Sequence, residues 1–160
     1  MKKRICFIIM CVISIFMLSF ASFAEETSQN INEVQWEYEV HSKDGTLLEK
    51  GIVPNAKART TWKGVTINGN LSYATFKPSG ASGLYCIAGN KISVSYQLNK
   101  SASHHWSLNE VNLGEVAGET LQASAVKQSY TPSEAGYFYG IIANYSSDPI
   151  TVNTFSITFK

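Results

Sequence analysis

Gln35-Trp36-Glu37-Tyr38-Glu39-Val40-His41 alternates without a break: Trp36, Tyr38 and Val40 fall on one side, and Glu37, Glu39 and His41 on the other. A period of two belongs to an extended chain whose neighbouring side chains point to opposite faces, so the stretch predicts a half-buried β-strand. Lys43-Asp44-Gly45 follows as a tight turn, and residues 46–53 return as the hairpin partner.

The same pattern spreads along the chain. Residues 61–67 and 70–76 flank Asn68-Gly69, the dipeptide that most favours a two-residue hairpin turn. Residues 77–83 have the composition of a loop, and residues 84–88 predict a short strand closed by a Gly89-Asn90 turn. Ile92, Val94, Tyr96 and Leu98 then alternate with Ser93, Ser95 and Gln97 in a second clear amphipathic strand. Beyond it, residues 99–103 read as a polar loop, 104–108 as a short strand, 109–118 as irregular, and 120–126 as a strand or a turn or two of helix. Pro132-Ser133-Glu134-Ala135-Gly136 is a turn. Residues 137–143 are apolar on both faces, as in a central strand between two covered layers. Near the end the apolar phase slips from even positions (Ile150, Val152) to odd ones (Phe155, Ile157, Phe159), which predicts a β-bulge near Asn153-Thr154.

About ten short strands with turn signals every ~8–12 residues and no clear helix predict an all-β fold. The expected architecture is a single antiparallel β-sandwich, jelly-roll-like or Ig-like.

At the N-terminus, Lys2, Lys3 and Arg4 precede an apolar run, and Ala21-Ser22-Phe23-Ala24 leads into Glu25-Glu26. That order predicts a secretory signal peptide over residues 1–24, cleaved after Ala24. A retained anchor competes, because residues 5–24 are long enough to span a bilayer core; the small-residue exit and the acidic pair favour cleavage. The expectation is a secreted, extracellular protein without stable membrane insertion after cleavage, with a flexible lead-in at 25–33 and the β-sandwich at 34–160. Cys86 is then the sole cysteine, so no internal disulfide forms, and its apolar setting predicts a buried thiol. Three of the 13 basic residues leave with the leader, so ten remain against 12 acids, scattered singly. Without a basic stripe, no nucleic-acid partner is expected.

Catalytic chemistry finds little support. His104 and His105 are adjacent rather than spaced as metal ligands, and Glu110, Glu115, Glu119 and Asp148 lack the density of a calcium loop. No GxSxG elbow or phosphate-cradling glycine loop occurs. The reading is therefore non-enzymatic, with no catalytic residues, metal or cofactor. Trp36, Tyr38, Tyr96, Tyr137, Tyr139 and Phe155 are core candidates, whereas Trp62, Trp106, Tyr130 and Tyr145 lie near loops. Trp106 with His104, His105, Asn99, Asn109 and Tyr130 forms the candidate ligand site: a flat aromatic flanked by amides and other donors suits a sugar. The competing reading has Trp106 filling the core.

The order of Trp106, a loop, a strand, Tyr130-Thr131-Pro132, Gly136-Tyr137-Phe138 and a closing strand resembles the course of carbohydrate-binding jelly rolls. No motif within it is family-specific. Export, aromatic and amide-rich loops and the scarcity of catalytic residues together point to a secreted, non-catalytic module for a cell-surface or extracellular glycan. The alternatives are a structural, adhesion or self-assembling surface protein using its sheet edges, a small secreted hydrolase, or an antibacterial protein. Oligomeric state is not legible in the sequence.

Overall fold

Strands with one apolar side must hide that side, and here two antiparallel layers hide it against each other. The computed structural model describes residues 34–54 and 64–160; the expected signal peptide, the lead-in and Trp62 lie outside them. Nine strands occur among the described residues: β1 (Trp36–His41), β2 (Leu47–Val53), β3 (Val65–Ile67), β4 (Tyr73–Pro78), β5 (Leu84–Cys86), β6 (Ile92–Glu110), β7 (Gly114–Tyr130), β8 (Gly136–Asn144) and β9 (Ile150–Phe159). The chain is an all-β antiparallel sandwich made from one strongly curled sheet.

The curl is carried by β6 and β7. Residues 92–98 of β6 pair with β9 and with the second half of β7, whereas residues 102–110 pair with β8 and the first half of β7. One layer therefore runs β2-β1-β4-β8-β6-β7, with β5 beside β8, and the other runs β3-β9-β6-β7. Phe155 of β9 stacks on Phe76 of β4 at 4.0 Å and meets Trp36 of β1 edge-on at 6.1 Å. At Gly140 of β8 a Cβ would come within 2.8 Å of the Phe155 ring, so the close approach of the layers requires glycine there. Val40, Phe76, Leu108, Phe138 and Ile142 fill the interior from one layer, and Val65, Ile92, Val94, Val152 and Ile157 from the other.

The first hairpin forms as its alternation predicts, and Cys86 is buried and free. The bulge predicted near Asn153 is present: Gln97 pairs Thr154 and Leu98 pairs Val152, leaving Asn153 unmatched. Four expectations are corrected. The polar residues 99–103 do not break the chain into short strands; they are the bend by which a 19-residue strand passes from one layer to the other. The irregular residues 109–118 are the strand ends and turn of the same long hairpin.

Asn68-Gly69 makes no hairpin, because β3 pairs with β9 while β4 pairs with β1 and β8 in the opposite layer. Positive φ falls on Asn70 (58°) and Leu71 (68°), after the dipeptide, and the segment arches between layers. Asn144 pins this arch. Its side-chain amide donates to the carbonyls of Ile67, Asn68 and Asp148 (3.2, 3.1 and 2.8 Å), and its oxygen accepts from the Ser146 N–H and hydroxyl.

The fourth correction concerns β8. Phe138, Gly140, Ile142 and Asn144 are buried, but Tyr137, Tyr139, Ile141, Ala143 and Tyr145 point away from the core and keep partial or full exposure. Only one face of this central strand is covered.

Candidate functional site

The uncovered face of β8 is the middle of a broad outer surface whose rows follow from register. One row runs Lys50, Glu39, Thr75, Ile141, Ser107 and Gly118 across β2, β1, β4, β8, β6 and β7. The next runs His41, Tyr73, Ala143, His105 and Thr120. Alternation on each strand sends these side chains outward together, and polar groups surround an aromatic and aliphatic centre.

A shallow, open cleft of about 390 Å³ lies in that centre. Tyr73, Thr75 and Lys77 of β4 and Tyr139 and Ile141 of β8 form its floor and walls, with Ser82 from the loop after β4 and Val111 from the β6–β7 turn. The site thus offers two phenol rings, two aliphatic side chains, hydroxyls and one ammonium.

The charges beside the cleft are internally matched. Lys50 Nζ lies 3.0 Å from Glu39 and 3.4 Å from Glu37, while Lys77 Nζ lies 3.4 Å from Glu39 and 3.7 Å from Glu37. The hydrogen bond from Lys50 is the main cause holding the Glu39 carboxyl below the usual range, against the opposing effect of burial. Two acids and two bases leave this network neutral. At the far row, the His41 ring stacks on Tyr73 (5.0 Å) and His105 on Tyr145 (6.1 Å), each pair within 15° of parallel. His105 is held by Thr120 Oγ1 at 2.9 Å and Glu115 at 3.0 Å. At the other end of β8, Tyr137 and Tyr85 are both exposed, with ring centroids 5.3 Å apart.

The six residues expected to bind ligand are not gathered in one place. Trp106 is 5 % exposed and belongs to the core, so it has no free indole face to offer a sugar; its Nε1–H has no partner among the described residues. His104 is fully buried. Its Nδ1 lies 2.8 Å from the Ala102 carbonyl, which can only accept, so that nitrogen carries the proton and Nε2 accepts from the Tyr96 hydroxyl at 2.7 Å. Burial pushes the His104 pKa down, consistent with a neutral ring. Asn99 sits at the bend of β6, where its Oδ1 accepts from the Thr151 N–H at 2.9 Å. Tyr130 ends β7 half-buried, its ring 6.5 Å from Phe138.

Only His105 and Asn109 lie on the outward side of this sheet, and Asn109 is itself buried. Asn109 pairs with Tyr139 across the strands and donates to Ser107 Oγ at 2.8 Å. The cleft was missed because Tyr139, which lines it, reads as core along with Tyr137. A readable signal existed: residues 137–143 are apolar on both faces, while the two clearly amphipathic strands carry polar residues such as Glu37, Glu39 and Ser95 on their second faces.

Glu110, at the end of β6, serves the fold. Burial works to raise its pKa, but N–H groups of Asn112 and Leu113 (2.7 and 2.9 Å), with a longer contact from Tyr137, outweigh it and bring the carboxyl below its ordinary value. The carboxylate thereby closes the β6–β7 turn. No group of three or more His, Cys, Asp or Glu side chains able to hold a metal occurs among the described residues.

No protein-family model matches this chain, and no curated protein matches it. Among solved structures it is similar to a chain described as "CBM4 structure and function", with a TM-score of 0.50 over 77 % of this chain and 94 % of that one, at 9 % sequence identity. The likeness is one of fold: a carbohydrate-binding module is also a β-sandwich of this kind.

Proposed function

We propose that this protein is an exported, non-catalytic module that binds a cell-surface or extracellular glycan in the cleft between β4 and β8. The observation that carries the reading is the outer-face cleft itself, in which Tyr73, Tyr139 and Ile141 meet Thr75, Ser82 and Lys77. Sugars present apolar C–H faces ringed by hydroxyls. Phenol rings pack against the former, while hydroxyl and ammonium groups replace the water lost by the latter. The fold shared with a carbohydrate-binding module supports the same reading coarsely, and the leader at residues 1–24 supports export.

A glycan array probed with the protein from the culture medium tests this. The recovered chain begins at Glu25 and binds a defined set of glycans. Tyr73→Ala and Tyr139→Ala each weaken that binding about tenfold, equivalent to roughly 1.4 kcal/mol, whereas Trp106→Phe leaves it unchanged. A blank array, or binding indifferent to both tyrosines, would sink the reading.

A further inference from the structure

β7 is hydrogen-bonded along one side only, to β6, and among the described residues no strand pairs with its other side. About half of the backbone N–H and C=O groups in its 17 residues therefore face outward, an array that another strand can complete. The opposite rim is built differently. β2 has 7 residues, carries Glu49 and Lys50, is followed by Pro54, and pairs with β1 through a register shift at Val40/His41. Short length, charge, proline and irregularity are the devices that blunt an edge. β7 contains no proline, and its only charged residues are Glu115, Glu119 and Lys127.

The placement of those charges selects the occupant. A strand that meets a second copy of itself about a two-fold axis runs antiparallel to it. With the axis at Leu121, Glu115 of each copy lies beside Lys127 of the other. Both residues belong to the outer side of the sheet, since Glu115 pairs with Asn109 and Lys127 with Ser95, outward positions of β6. Such an axis along the sheet normal also preserves the direction in which β7 curls between the layers, so both copies bend the same way.

We propose that the protein self-associates through antiparallel β7–β7 pairing, fixed in register by two Glu115–Lys127 contacts. The contact closes on itself as a dimer, and β6 and β8 separate it from the centre of the cleft, so it is independent of the glycan reading.

Sedimentation velocity on the protein purified after expression of the full chain, from about 1 µM to about 1 mM, is the test. A dimer is expected. Lys127→Glu alone and Glu115→Lys alone each set like charges opposite one another twice and weaken dimerisation at least about tenfold. Mixed together, the two variants meet opposite charge at both contacts and associate within about threefold of the unmodified protein. Because Glu115 also contacts His105 at 3.0 Å, recovery on mixing separates the charge effect from any local disturbance. A monomer throughout the range, a dimer indifferent to both substitutions, or a mixture that stays monomeric overturns the proposal.

Discussion

The two faces of β8 carry similar chemistry to opposite ends. Inward, Phe138 and Ile142 are almost wholly enclosed by side chains of both layers. Outward, Tyr137, Tyr139 and Ile141 are aromatic and aliphatic too, yet no second layer among the described residues covers them. Apolar content alone therefore does not separate core from binding surface. What separates them is whether neighbouring strands send apolar or polar side chains to the same face. Phe76 and Leu108 flank the inner side, whereas Thr75, Ser107 and Asn109 flank the outer one.

Substitution at adjacent positions exposes this contrast most sharply. Phe138→Ala should cost about 3–5 kcal/mol of stability, since it empties a tightly packed site between layers. Tyr139→Ala should cost no more than about 1 kcal/mol while weakening glycan binding. Chemical unfolding of both variants decides the matter; equal losses would mean that the outer face is structural. Next in size is Asn144→Ala, which strips donors from three carbonyls in the arch between layers and should cost about 2–3 kcal/mol. A smaller change would show that water replaces the amide.

The smallest effect is acid sensitivity. The buried His104 has a folded pKa below its unfolded value, so the unfolded chain binds more protons; stability is complete above about pH 6.5 and declines as pH falls through the folded value. Glu110 is depressed as well, so its contribution is present above the ordinary carboxylate range, near pH 4.3, and is lost as pH falls through its own folded value. Thermal melts across pH should show a two-stage decline, with His104→Leu removing the upper stage and Glu110→Gln reducing the lower, to which Glu39 also contributes. A single acid transition shared by both variants would contradict these assignments.

Much of the fold was legible where local pattern and tertiary demand agree. The alternation in β1, the Gly45 turn and the slipped phase in β9 each follow from the period of an extended chain. The long β6 was not legible, because Asn99, Lys100 and Ser101 are polar at a bend whose backbone continues the strand into the other layer. Asn68-Gly69 misled for a related reason: local turn preference is overruled when the flanking strands belong to different layers. The site was obscured by the aromatics themselves. Nothing local distinguishes Trp106, whose cross-strand neighbours on one side include Ile142, from Tyr139, whose neighbour is Asn109. That information sits in register, which one strand alone does not contain.

The passage of β6 from one layer to the other also bears on how the molecule comes apart. Each layer depends on the same covalent ribbon, so neither can peel away while its counterpart keeps a complete ladder. Opening is therefore collective, and amide exchange in β8 and β9 should report one shared barrier.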